Sequence, residues 1–208
     1  MKLDIPVVGI LRGIEPSLFA EVMATSFAAG LQAIEVTMNT AGAEAMVSAG
    51  RLGVPHGHFL GMGTIRNLAE AERAVAAGAM FLVSPNCDLE VIACAKRHGV
   101  PMICGAMTPT EVYAAWAAGA AMVKVFPCSV LGPAYIKELL GPFDHIPLMA
   151  VGGVTVDNLA AYFAAGAKAV GVGATLFGKE ALQRRDMGQL AANVKEFIAR
   201  CPCMGNEQ

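Results

Sequence analysis

Two charged side chains lie inside apolar runs of this sequence. Lys124 is the one charged residue of the run AAMVKVFP, and Glu35 stands between Ile34 and Val36 in IEVTMNT. A charged group is costly to bury, so chains usually avoid placing one in a run that is destined for the core. Exceptions of this kind often mark functional sites. We therefore take Lys124 and Glu35 as the first candidates for catalysis.

Burial would change the chemistry of both groups. Side chains alternate along a strand, so Met122, Lys124 and Phe126 share one face, and desolvation on an apolar face lowers the pKa of a lysine. A neutral amine can attack a carbonyl and form a Schiff base. Glu35 in the same interior could move protons as a general acid and base. The alternative is a buried Lys124–Glu35 salt bridge that only joins strands, although such pairs seldom add net stability.

Other polar residues follow the apolar runs. If the runs are parallel strands, these residues gather at the carboxyl end of the sheet, where barrel enzymes place their active sites. Arg12 could clamp a carboxylate or phosphate, or could be a surface arginine. The set comprises Arg12, Thr37, Asn39, Thr64, Ser84, Pro85, Asn86 and Ser129.

Two glycine-containing loops suggest an anion site. They are AVGGV (150–154) and GVGAT (171–175), and each follows one of the last two apolar runs. Loops at these places recurrently bind phosphate in barrels, because backbone N–H groups can approach an anion where no Cβ intervenes. A Gly152–Gly153 pair by itself is usually only a turn, so it is its position that favours a phosphate site.

The elements that must position these residues alternate along the chain. Alanine-rich helical patterns separate short apolar runs, several helices begin at Asn, Asp or Thr, and the ending AAG recurs before a strand. We predict strands at 5–11, 32–38, 58–63, 80–84, 101–105, 122–126, 146–151 and 169–173, and helices that include 16–30, 67–78, 88–99, 108–119 and 155–166.

This alternation predicts a fold of the α/β class, a single-domain (β/α)₈ TIM barrel. Strand–helix repeats imply parallel strands joined by crossovers, and eight such units close a barrel. We expect one domain over 1–208, with 201–208 a flexible tail. A doubly wound open sheet is the alternative, but no Gly-x-Gly-x-x-Gly follows the first strand, which weakens its dinucleotide-binding version.

Composition and the types of residue present argue against several classes of protein. The chain is 55% hydrophobic and 15% charged, with a net charge of −2. No basic stripe indicates nucleic acid, no apolar run is long enough for a membrane span, and we see no signal peptide, so we expect a cytoplasmic protein. The four histidines do not cluster, and we expect no metal and no cofactor. Cys128 lacks a histidine to activate it, and the CPC of the tail (201–203) is a weak metal signal.

As a set, seven motifs resemble a known family. IEVTMNT, GMGT, VSPN, VKVFP, GPAYIKEL, AVGGVT and GVGATLF follow the order and spacing of the 2-keto-3-deoxy-6-phosphogluconate aldolases and their phosphogalactonate relatives, from about residue 5 to residue 177. The resemblance implies a metal-independent class I aldolase on a (β/α)₈ barrel, typically a homotrimer, that acts on a phosphorylated keto-deoxy sugar acid.

The same resemblance assigns roles. Lys124 matches the Schiff-base lysine and Glu35 the acid/base, while Arg12 and Thr64 match residues that hold the pyruvyl carboxylate and its neighbours. The matching phosphate cradle comprises Gly152, Gly153, Gly173 and the backbone at Ala174. We also expect Asn39, Pro85 and Val151 to contact the substrate.

Three departures bear on the substrate. Gluconate-type members have arginine at Asn39 and threonine at Val151, so this chain looks closer to the phosphogalactonate branch. Many members have serine at Ala174, which removes one hydroxyl donor to the phosphate. Thr175 could replace that donor, or the chain could accept less phosphorylated substrates such as 4-hydroxy-2-oxoglutarate.

Two readings from other classes stay open at this point. A phosphate-binding barrel isomerase or epimerase would share the glycine loops but would not need an imine-forming lysine. A non-catalytic sugar-phosphate binding protein would keep the barrel without turnover.

Overall fold

A computed structural model describes residues 3–201 as a closed barrel of eight parallel strands. Neighbouring strands follow chain order, and β8 pairs with β1 to close the sheet. This confirms the predicted (β/α)₈ barrel and excludes the open sheet. The strands are β1 (Val7–Leu11), β2 (Ala33–Thr37), β3 (Phe59–Gly63), β4 (Leu82–Val83), β5 (Met102–Ala106), β6 (Met122–Val125), β7 (Leu148–Val151) and β8 (Ala169–Val172).

Helices cover the outside of the barrel. Asn67, Asp88 and Thr108 cap three of them with side-chain hydrogen bonds, and Thr108 forms a capping box with Glu111. The helices are α1 (Pro16–Ala28), α2 (Ala43–Gly50), α3 (Leu68–Ala76), α4 (Leu89–Arg97), α5 (Pro109–Ala117), α6 (Cys128–Leu140), α7 (Leu159–Ala164), α8 (Ala174–Phe177), α9 (Lys179–Arg184) and α10 (Met187–Ala199).

The recurring AAG endings terminate helices as the sequence predicts. The glycines that close these endings have φ between 85° and 103°, a left-handed conformation in which a side chain is strained. Each glycine turns the chain from a helix towards the next strand. They are Gly30, Gly78, Gly119 and Gly166.

Two elements are much shorter than the sequence predicts. β4 is only two residues long, and α7 begins at Leu159, because Thr155 and Asn158 bond each other's backbone N–H groups in a turn before it. Helix α6 is kinked at Gly132, which precedes Pro133. The predicted flexible tail falls mostly on 202–208, outside the described residues.

Apolar side chains fill the interior of the barrel beneath the site. They form one buried cluster of Val8, Ala33, Phe81, Val83, Ile103, Met149, Val151 and Ala169. Ala33 and Glu35 lie on the same face of β2, and Met122 and Lys124 lie on the same face of β6. Both charged residues therefore lie one layer of side chains above this apolar cluster. Within residues 3–201, no helix has the length and apolar character needed to cross a membrane.

Candidate active site

A pocket of about 610 Å³ opens at the carboxyl ends of the strands. It brings together residues that are far apart in sequence, because parallel strands end at the same side of the barrel. Of the eleven residues to which the sequence assigned a catalytic, substrate-binding or phosphate-binding role, ten line it: Arg12, Glu35, Thr64, Pro85, Lys124, Val151, Gly152, Gly153, Gly173 and Ala174. The remaining one, Asn39, hydrogen-bonds to Arg12.

Lys124 lies on β6 with only 5% of its surface exposed. Its Nζ stands 4.9 Å from the centroid of the Phe126 ring, and within the described chain it has no hydrogen-bond partner. Burial lowers the pKa of Lys124 below 10.5; the nearby Arg12 lowers it further and Glu35 opposes the shift. The amine is therefore shifted towards its neutral, nucleophilic form.

Glu35 is 1% exposed on β2. Its Oε2 is a buried oxygen without a hydrogen-bond partner in the described structure, which is rare and calls for an explanation. Burial raises the pKa of Glu35 above 4.5, while Lys124 and Arg12 act against that rise. An unpartnered carboxyl that faces a pocket is available to a substrate or to water.

Lys124 and Glu35 do not form a direct salt bridge. Among the described residues, no N–O distance of 4.0 Å or less joins the two side chains. Both line the same pocket, and their pKa values shift in opposite directions. Burial thus shifts the amine towards its neutral form and the carboxyl towards its protonated form.

Arg12 is held in place from two sides. Its Nη1 donates to Asn39 Oδ1 at 2.9 Å, and its Nη2 donates to Thr64 Oγ1 at 3.1 Å. Thr64 has φ 58°, a left-handed conformation that is uncommon for a residue other than glycine. Strained backbone of this kind clusters at functional sites. The arrangement leaves other N–H groups of Arg12 free to bind an anion.

Two glycines make room for site residues. A Cβ at Gly63 would overlap the carboxyl of Glu35, and one at Gly105 would overlap the backbone at Pro85 and Asn86. Ser84 supports this second turn, because its hydroxyl donates to Asn86 O at 2.7 Å and accepts from Gly105 N at 3.0 Å. Ser84 is thus a structural residue, whereas Pro85 reaches the pocket.

The glycine loops line the same pocket. Gly152 and Gly153 have φ of 99° and 73°, and a side chain at Gly153 would overlap Ser129. Ala174 begins α8 with only backbone groups to offer an anion. Thr175 Oγ1 donates to Val154 O at 3.0 Å, so this hydroxyl is not a free donor for a phosphate. The suggestion that Thr175 replaces the missing serine therefore loses support.

Sequence reasoning did not identify Glu15 and Arg185, which also line the pocket. Arg185 Nη2 donates to Glu15 Oε2 at 2.9 Å across 170 residues of sequence. Glu15 follows β1 as Arg12 does, so its position offered a weak signal. Arg185 comes after α9 rather than directly after a strand, and a reading of strand ends alone could not find it.

The structure also bears on two other kinds of chemistry, a cysteine nucleophile and a metal site. The buried Cys128 thiol donates to Val125 O, and burial raises its pKa, which disfavours a thiolate nucleophile. Residues 3–201 contain no group of three or more His, Cys, Asp or Glu side chains that could hold a metal ion. Cys203 of the CPC segment lies outside the described residues.

A closed parallel barrel with a polar pocket at the carboxyl ends of its strands is the architecture of a barrel enzyme. The chain belongs to the KDPG and KHG aldolase family, whose model matches residues 4–193. This confirms the resemblance seen in the seven motifs. The family consists of aldolases, enzymes that make or break carbon–carbon bonds.

Individual relatives agree with this membership. A protein of Rhizobium meliloti (strain 1021), named as a probable 2-dehydro-3-deoxy-6-phosphogalactonate aldolase, is 36% identical over 89% of this chain and 88% of its own. The 2-dehydro-3-deoxy-6-phosphogalactonate aldolase of Escherichia coli (strain K12) is 34% identical over 93% and 95%. A solved structure described as native KDPGal has a TM-score of 0.89 at 30% identity and covers 96% of both chains.

Proposed function

We propose that the chain is a class I aldolase that cleaves 2-dehydro-3-deoxy-6-phosphogalactonate to pyruvate and glyceraldehyde 3-phosphate. One observation carries the proposal: a buried lysine with a lowered pKa shares a pocket with a buried carboxyl that has an unpartnered oxygen. An isomerase would not need this lysine. The names of the two bacterial relatives favour the galactonate substrate.

The mechanism begins at Lys124. Its neutral Nζ adds to the C2 ketone of the substrate to give a carbinolamine. The carboxyl of Glu35 gives its proton to the carbinolamine hydroxyl, which leaves as water, so that a protonated imine forms and Glu35 is left ionised. Glu35 takes the proton from the C4 hydroxyl, the C3–C4 bond breaks, and its electrons move into the imine to form an enamine. Glyceraldehyde 3-phosphate leaves as the aldehyde. Protonation of the enamine at C3 and hydrolysis then release pyruvate and restore the amine.

The rest of the pocket binds the two ends of the substrate. Arg12, held by Asn39 and Thr64, binds the carboxylate through its remaining N–H groups. Pro85 and Val151 contact the carbon chain, and the backbone N–H groups of the glycine loops (152–153 and 173–174) bind the phosphate. In this mechanism the protein supplies every catalytic group, with no metal or cofactor.

Borohydride reduction in the presence of pyruvate tests the covalent step. We expect peptide mass spectrometry to find a reduced pyruvyl adduct on Lys124 and none in Lys124→Ala. Glu35→Gln should still capture pyruvate but cleave substrate poorly, because its amide cannot accept the C4 proton. An absence of any adduct, or unchanged cleavage by Glu35→Gln, would contradict the assigned roles. Retained activity after chelation separates this enzyme from a metal-dependent aldolase.

A second candidate is the gluconate epimer of the same substrate, with 4-hydroxy-2-oxoglutarate as a further one. The family description names both KDPG and KHG aldolases. A side-by-side assay of the two six-carbon phosphorylated epimers, following pyruvate release, discriminates between them. We expect the galactonate epimer to have the higher kcat/KM.

We further propose a cytoplasmic homotrimer. Val130 is 70% exposed and Leu131 40% exposed on α6, and Tyr113 is 56% exposed on α5, so apolar groups are available for a subunit interface. The described cysteines are free thiols, which suits a reducing compartment. Light scattering should give three times the 21.5 kDa chain mass. A particle of one chain mass would contradict the trimer.

A further inference from the structure

We propose that Arg185 binds the phosphate group of the substrate and sets the preference for phosphorylated over unphosphorylated substrates. The proposal rests on the aldolase function proposed above and extends it to a residue that the sequence motifs do not include. Among the described residues that line the pocket, the cationic side chains are Arg12, Lys124 and Arg185.

The other two cations are committed elsewhere. Arg12 is tied to Asn39 and Thr64, beside the buried acid–base pair. Lys124 must be neutral to attack the ketone, so it cannot balance a phosphate charge at the same time. Arg185 is the remaining positive group for the second anionic end of the substrate.

The glycine loops alone make a weak cradle for a dianion. Gly152, Gly153, Gly173 and Ala174 offer backbone N–H groups but no side-chain donor. The hydroxyl of Thr175, the residue that follows Ala174, donates to a backbone carbonyl. Hydrogen bonds between ionised partners are about twice as strong as neutral ones, so a guanidinium would make up for the missing serine hydroxyl.

Arg185 is placed to do this. It follows α9, and the same short segment (173–185) carries the Gly173–Ala174 part of the cradle. Its backbone has φ 53°, and its Nη2 donates to Glu15, which also lines the pocket. That exposed pair adds little to stability, and a guanidinium has five N–H donors, so Arg185 can keep Glu15 and still contact a phosphate.

The test compares Arg185→Ala with wild type on 2-dehydro-3-deoxy-6-phosphogalactonate and on its unphosphorylated counterpart. We expect kcat/KM for the phosphorylated substrate to fall about 10- to 100-fold, mainly through KM, as for the loss of a charged hydrogen bond. The ratio of kcat/KM between the two substrates should fall by the same factor. Arg185→Lys should retain part of the ratio.

Arg184→Ala is the matched control. Arg184 precedes Arg185, is 78% exposed and pairs with Glu180, and it does not line the pocket. We expect this variant to keep the wild-type ratio. If Arg185→Ala keeps the wild-type ratio, either with full activity or with equal losses on both substrates, the proposal is overturned.

Two further measurements separate this proposal from the aldolase function. Trapping of pyruvate on Lys124 should be unaffected in Arg185→Ala; absence of an adduct in wild type would count against the aldolase and not against Arg185. Titration with inorganic phosphate, followed by calorimetry, needs no turnover. Weaker phosphate binding by Arg185→Ala supports the assignment, and unchanged binding refutes it.

Discussion

Gly63→Ala should disable catalysis by moving one carboxyl group. An added Cβ would stand 2.5 Å from Glu35 Oε1, whereas ordinary contacts begin at 3.4 Å, so this oxygen must retreat by about 0.9 Å. Gly63 does not have a positive φ, and the obstructing group is the end of a flexible side chain. The backbone can therefore accept alanine, and the cost falls on the geometry of the site.

We expect kcat to fall about 100-fold, since a misplacement near 1 Å can cost that much. A coupled assay of pyruvate release measures kcat and KM, and borohydride trapping should still label Lys124 with pyruvate. The melting temperature should change by less than about 4 °C, which corresponds to roughly 1 kcal/mol for a chain of this size. Gly53→Ala, where the nearest atom is 3.9 Å from the added Cβ, should be fully active. Normal kcat in Gly63→Ala would refute the role of the Glu35 position.

The remaining predictions concern pH, stability and specificity. The pH profile of kcat/KM should be bell-shaped, because the reaction needs a neutral amine at Lys124 and a proton on Glu35. Acid protonates the amine and alkali removes the proton from Glu35, so both should lower the rate; a flat profile would contradict this. The double variant Lys124→Met/Glu35→Gln should unfold in urea with a free energy about 1–4 kcal/mol above wild type at pH 7, because it removes two buried ionisable groups; equal or lower stability would show that the site carries no such cost. Burial lowers the pKa of Lys124 in the folded chain below 10.5, the ordinary value that applies to the unfolded chain. At pH values between these two pKa values, the unfolded chain binds more protons than the folded chain. Across that range Lys124 makes wild-type stability rise with pH, and the difference from the variant should shrink by pH 10.5. Val151→Thr should lower the galactonate-to-gluconate ratio of kcat/KM by about 10-fold, as one added hydroxyl in a buried pocket can do; an unchanged ratio in the two-epimer assay would exclude Val151 as a specificity residue.

Much of the fold follows from local patterns in the sequence. Helix caps at Asn67, Asp88 and Thr108 and the glycines of the AAG endings mark boundaries through interactions within a few residues. Signals of this kind depend only on residues that are close together in the sequence. The two-residue β4 and the late start of α7 were not predicted, because pairing length and a turn between Thr155 and Asn158 depend on surrounding structure.

The candidate site was predictable to the extent that it lies at strand ends. Parallel strands bring their carboxyl ends together, so Lys124, Glu35 and Arg12 meet in one pocket although their separation in sequence is large. Their roles remain proposals that the trapping and pH experiments test.

The sequence by itself determined that strands and helices alternate and that two charges interrupt apolar strands, because both are properties of neighbouring residues. Only the tertiary structure decided that β8 closes on β1, that Gly63 leaves space for the carboxyl of Glu35, and that Arg185 meets Glu15. These contacts join segments up to 170 residues apart. Their distances are set by the packing of the whole barrel, which no local pattern encodes.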